Sequence, residues 1–109
     1  MSFEVKLSSN FEKEAKRLTK KYPPLKREIE SLINSLSVNP NQGDSIGQNC
    51  YKIRLPITSK GRGKSGGARV ITNIAVLKGI VYLLSIYDKS EMETITVKDL
   101  NRLLKKLPD

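Results

Sequence analysis

Two short segments alternate strictly between apolar and polar side chains on either side of a glycine-rich loop, which constrains the middle of this chain to pair as strands. In Cys50–Ile57 the side chains of Tyr51, Ile53, Leu55 and Ile57 fall on one side and those of Lys52 and Arg54 on the other. From Ala68 onward, Ala68, Val70, Thr72, Ile74 and Val76 fill one face, and Arg69, Ile71, Asn73 and Ala75 the opposite one. The connection Thr58–Gly67, with four glycines, is too long for a tight hairpin turn.

This stretch also concentrates the charge. Lys52, Arg54, Lys60, Arg62, Lys64 and Arg69 occur with no Asp or Glu anywhere between Asp44 and Asp88. The chain carries a net charge of +9 over 109 residues. A concentrated positive patch fits a polyphosphate partner better than it fits an evenly solvated surface. Histidine is absent, which removes the usual general base and most zinc sites. The single cysteine, Cys50, excludes an internal disulfide and a cysteine metal cluster, so neither metal nor cofactor is expected. No apolar run is long enough to span a bilayer and Met1–Lys6 carries no leader pattern, so a cytoplasmic protein without membrane contact is expected. An apolar content of 38% supports one core, hence a single domain over residues 1–109.

Around this centre the remaining elements follow from periodicity. Phe3–Leu7 alternates as a strand with one buried face. Ser9 and Glu12 fit a capping box opening a helix, along which Phe11, Ala15, Leu18 and Tyr22 form one apolar stripe. Lys13, Lys16, Arg17, Lys20 and Lys21 occupy its other sides. Pro23-Pro24 ends that helix and is tolerated in the first turn of the next, whose stripe is Leu25, Ile29, Leu32, Ile33 and Leu36. So tight a connection predicts an antiparallel helical hairpin. Asn39–Asn49 reads as an irregular polar loop. Lys78-Gly79 is a turn candidate before Ile80–Tyr87, a nearly continuous apolar run expected to be a central strand. Thr96 caps a last helix bearing Leu100, Leu103, Leu104 and Leu107 on one side.

The expected fold is therefore α+β, in the order β-α-α-β-β-β-α, with a mainly antiparallel sheet, the helical hairpin on one face and a C-terminal helix. Alternation places Lys52 and Arg54, then Arg69 and Asn73, then Ser85, Tyr87 and Lys89 on the sheet face away from the hairpin. Ile71, Val81 and Leu83 share that face by the same parity and need cover, which the last helix can supply in part.

Three chemistries suit a basic face of this kind. Gly63-Lys64-Ser65 resembles the end of a nucleotide-binding phosphate loop, but the glycine required five positions earlier is Thr58, and a strand rather than a helix follows. A base-stacking platform needs exposed rings among the cations, and only Tyr87 falls there, since Tyr51 and Tyr82 lie on apolar faces. RNA cleavage without histidine is the third. The 2′-hydroxyl attacks the adjacent phosphorus, which needs a proton acceptor, a donor for the leaving oxygen and cations around the phosphorane. A lysine among like charges can serve as acceptor, because crowding disfavours the protonated form. Arginine, always charged, suits the phosphorane.

Lys52-Ile53-Arg54, the loop Gly61–Val70 (GRGKSGGARV) and Tyr82–Glu91 (YLLSIYDKSE) resemble the RelE/ParE superfamily, most of all the HigB-type toxins of bacterial type II toxin–antitoxin modules. The resemblance implies a ribosome-dependent, metal-independent endoribonuclease that cuts mRNA and inhibits translation. It also implies a cognate antitoxin as partner, with the ribosome and mRNA, and operator DNA bound only through the antitoxin complex. Position by position, it makes Lys52, Arg54, Arg69 and Lys89 the catalytic set, with Lys52 in proton transfer and Arg69 bracing the scissile phosphate. Lys60, Arg62, Lys64 and Tyr87 become RNA contacts. Lys89 stands where RelE has an arginine, and Ile95 where RelE has a tyrosine, a role that Tyr87 is placed to take over. The alternative within the superfamily is a ParE-like, non-enzymatic inhibitor of DNA gyrase.

Overall fold

The computed structural model describes residues 2–57 and 67–108. Its elements are β1 (Glu4–Leu7), α1 (Ser9–Lys21), α2 (Leu25–Val38), β2 (Asp44–Gly47), β3 (Cys50–Leu55), β4 (Ala68–Ala75), β5 (Ile80–Asp88) and α3 (Val97–Lys105). The strands form one open sheet in the order β1-β5-β4-β3-β2, with β1 parallel to β5 and the other pairings antiparallel. The expected α+β architecture is present, with one more strand than periodicity indicated.

The added strand is β2, in the stretch read as irregular loop. It is a short, polar edge strand that bulges after Ser45 and returns through Gly47, Gln48 and Asn49, all at positive φ. Asn73 on β4 holds this turn by donating its Nδ2–H to the Gln48 carbonyl at 3.1 Å. Gly43, at φ +92, has no room for a side chain: an added Cβ would lie 2.4 Å from the Lys52 carbonyl oxygen.

The apolar stripes of α1 and α2 close over one face of the sheet. Phe11, Leu18, Leu25, Ile29, Leu32 and Leu36 meet Ile53, Leu55, Val70, Ile74, Val81, Leu83 and Ile86 there. The second apolar layer lies on the opposite face, where Leu100 and Leu103 of α3 cover Cys50, Ile71, Ile80, Tyr82 and Leu84. Helix starts follow local chemistry. Ser8, one residue earlier than the expected capping residue Ser9, accepts from the Phe11 N–H at 3.0 Å, and Thr96 accepts from Asp99 N–H at 3.1 Å as expected. The Lys78-Gly79 turn closes through a short 3-10 segment, Val76–Lys78, with Gly79 in the left-handed region at φ +67.

β5 departs from simple alternation. Thr72 registers with Leu83 but Ile71 with Ser85, so Leu84 is an extra residue in the strand. Ahead of this bulge Tyr82 and Leu84 face α3, while beyond it Tyr87 does. Val81 and Leu83, expected on the cationic face, lie instead in the hairpin core. Ser85, expected there too, donates to Glu14 of α1 at 2.7 Å. The bulge exposes backbone groups that the ladder no longer satisfies, and α1 supplies the partners. Asn10 Nδ2 donates to the Leu84 carbonyl at 2.9 Å, and Glu14 Oε1 accepts from Ile86 N–H at 3.3 Å.

Candidate nucleic-acid interface

Three neighbouring strands bring the site together. In register, Arg54 on β3 lies directly opposite Arg69 on β4, which lies directly opposite Tyr87 on β5. Lys52 is two positions from Arg54 and therefore on the same side. Opposed side chains in such pairs have Cβ atoms about 4.5–5.5 Å apart, and like charges placed this way repel. The row thus sets two arginines side by side across the β3–β4 pair. The face is the one opposite the helical hairpin, as parity predicted.

Accessibility differs along the row. Arg54 is exposed and Lys52 half-buried, whereas Arg69 is only 3% exposed and donates from Nη1 to the Ala68 carbonyl at 3.1 Å. Lys89 is half-buried, and its backbone N–H donates to the Gly67 carbonyl at 3.1 Å, which fixes it beside the start of β4. Its neighbour Asp88 is fully buried and anchors this corner, accepting from Tyr22 Oη at 3.3 Å and from the N–H and hydroxyl of Ser90 at 3.0 and 2.9 Å. Gly67 is required here, because an added Cβ would lie 2.3 Å from the Leu55 carbonyl oxygen. Lys60, Arg62 and Lys64 lie outside the described residues.

Tyr87 is a correction. Its ring is buried, and its hydroxyl accepts from the Ile95 N–H at 3.2 Å. Burial pushes its phenol pKa up, against the opposing effects of the Ile95 and Thr94 hydrogen bonds and the Arg69 charge. A ring sealed in this way offers no face for stacking a base. Tyr87 therefore braces the segment before α3 instead of contacting RNA in this conformation.

Asp44 is the residue that sequence reasoning passed over. It registers directly opposite Lys52 across the β2–β3 pair, so the cationic run has a carboxylate beside it in space although none within it in sequence. Its signal was hidden because β2 carries almost no periodicity. Beyond Lys52, the outer edge of β3 borders a groove of about 640 Å³ between the strand and α2. Asp44, Lys52 and Arg54 line it, with Glu28 of α2 on the far wall. Among the described residues no group of three or more Cys, Asp or Glu side chains is placed to hold a metal ion. No described helix is long and apolar enough to cross a membrane.

No protein-family model matches the chain. Among solved structures, it is similar to the E. coli toxin RelE, a double arginine-to-alanine mutant, in the free state, with a TM-score of 0.66, 17% identity, and coverage of 99% of this chain and 100% of that one. The chain has the RelE fold. The same RelE mutant in complex with an antitoxin RelBc peptide matches with a TM-score of 0.52 and 18% identity, again over 99% and 100% of the two chains. The RelE-like fold expected from the sequence is thus present over essentially the whole chain.

Proposed function

We propose that this protein is the toxin of a type II toxin–antitoxin module and acts as an endoribonuclease on mRNA at the ribosome, in the manner of HigB-type toxins. The observation that carries the reading is Arg54 standing opposite Arg69 in register, with Lys52 on the same face of a RelE fold. The RelE neighbour seen with an antitoxin peptide supports an antitoxin as the protein partner.

In this reading the mRNA 2′-hydroxyl attacks its own 3′-phosphorus. Lys52 accepts the proton, Arg54 and Arg69 hold the phosphorane oxygens, and Lys89 stands near the leaving 5′-oxygen. The leaving 5′-oxygen takes a proton from water, so the products are a 2′,3′-cyclic phosphate and a 5′-hydroxyl. Lys60, Arg62 and Lys64 bind backbone phosphates of mRNA or ribosomal RNA. Arg69 reaches a phosphate only when the groups covering it move aside.

Expression of the chain in cells tests this directly. Immediate arrest of protein synthesis with new mRNA 5′ ends is expected. DNA-damage signalling with intact mRNA would refute the nuclease reading in favour of gyrase inhibition.

A further inference from the structure

On the same sheet face as α3, but at the other end of β5, the structure has a second cavity, partly open to solvent. It measures about 240 Å³ and lies between the end of β1, the first turn of α1 and the last turn of α3. Tyr82 and Tyr87 are five positions apart along β5, roughly 17 Å, so this cavity is separate from the arginine row.

Three independent groups converge on it. Tyr82 is 5% exposed and belongs to the apolar layer beneath α3, yet its hydroxyl has no hydrogen-bond partner among the described residues. That oxygen is not among the sealed polar atoms, and the residue lines the cavity. A phenol so deeply placed normally finds a partner. The first turn of α1 supplies the second group. Ser8 caps the Phe11 N–H, while the N–H groups of Ser9 and Asn10 have no acceptor among the described residues, and both residues line the cavity. The third group is a pair of ammonium side chains. Lys6 is the direct neighbour of Tyr82 across the parallel β1–β5 pair, and Lys106 follows α3. Among the described residues no Asp or Glu lines the space.

Donors and two positive charges therefore line a cavity with no carboxylate among the described residues, and the rest of its wall is Leu7, Leu103, Leu107 and Pro108. Its volume is below the ~300–1,000 Å³ of drug-sized sites, too small for a nucleotide. We propose that this cavity binds a small organic carboxylate carrying a short apolar chain. The carboxylate accepts from Tyr82 Oη and the α1 amides beside Lys6 and Lys106, and the chain packs on the α3 leucines. Because the ligand touches β1, α1 and α3 together, its binding ties the last helix to the sheet.

Amide NMR of the full chain tests the site with three probes: 4-methylpentanoate, the neutral 4-methylpentanamide and inorganic phosphate. Saturable shifts of the Ser9 and Asn10 amides with 4-methylpentanoate alone are expected. Tyr82→Phe weakens binding roughly tenfold, the size of one charge-assisted hydrogen bond. Lys106→Ala, at an exposed position that does not threaten folding, weakens it about threefold, as loss of one partly screened charge does. Equal binding of acid and amide, shifts with phosphate but not with the acid, or wild-type affinity in the Lys106→Ala protein each overturn the proposal. None of these readouts depends on RNA cleavage.

Discussion

Glu14 holds the bulge that re-aims β5, and its removal should show how much of the fold depends on that one acceptor. Its Oε1 accepts from Asn10 Nδ2 at 2.8 Å, from Ser85 Oγ at 2.7 Å and from Ile86 N–H at 3.3 Å. Ser85 and Ile86 are both buried, so Glu14→Ala leaves two shielded donors without an acceptor. Each such donor costs about 1–3 kcal/mol. Water entering beside the half-buried position 14 recovers part of this, so a net destabilisation of about 2–4 kcal/mol is expected, a large share of the ~5–15 kcal/mol typical of a domain. Urea unfolding should show a lower midpoint at unchanged m-value. Lys13→Ala, on the exposed side of α1, should stay within about 0.5 kcal/mol of wild type. Because Glu14 and Ser85 share the bond, Glu14→Ala and Ser85→Ala should be non-additive by at least ~0.5 kcal/mol. A Glu14→Ala loss below ~0.5 kcal/mol would refute the assignment of the bulge to this contact.

Other changes follow from single sites. Thr72 Oγ1 is buried without a partner among the described residues, so Thr72→Val, which keeps the shape and removes the hydroxyl, should stabilise by about 1 kcal/mol in the same urea assay. Gly67→Ala forces a Cβ against the Leu55 carbonyl and should cost at least ~2 kcal/mol, with Gly47→Ala, where no atom stands in the way, as a milder comparison strained only by its φ of +89. Tyr87 has a phenol pKa raised by burial, so the folded state holds its proton where the unfolded state has lost it. Its contribution is complete below the ordinary tyrosine pKa of about 10 and is lost as pH climbs through the raised value. Thermal unfolding between pH 9 and 11 should therefore fall more steeply for wild type than for Tyr87→Phe.

The parts of the fold legible from sequence were those with strong period. The α1 and α2 stripes, the Pro23-Pro24 break and the alternation of β3 and β4 each admit one burial solution, and the structure adopts it. Opposition of Arg54 and Arg69 follows from that alternation once the strands pair. What could not be read depends on contacts distant in sequence. β2 is polar and takes its strand geometry from β3 alone, which hid both the strand and Asp44. The bulge at Leu84 is stabilised by Asn10 and Glu14, more than 70 positions away, and an all-apolar run gives no sign of where parity changes. The same bulge removed Val81, Leu83 and Ser85 from the predicted face and left Tyr87 on it, but buried.

The central claim, that the opposed arginines grip one scissile phosphate, is tested most directly by mapping mRNA 5′ ends after expression of wild type, Arg54→Ala, Arg69→Ala and Arg69→Lys, each verified as folded by its melting curve. The account predicts cleavage by wild type, loss of at least about a hundredfold in both alanine variants, as expected for removing a group that stabilises charge in the transition state, and partial activity in Arg69→Lys, which keeps the charge but not the fork. Undiminished cleavage by a folded Arg69→Ala protein would contradict it.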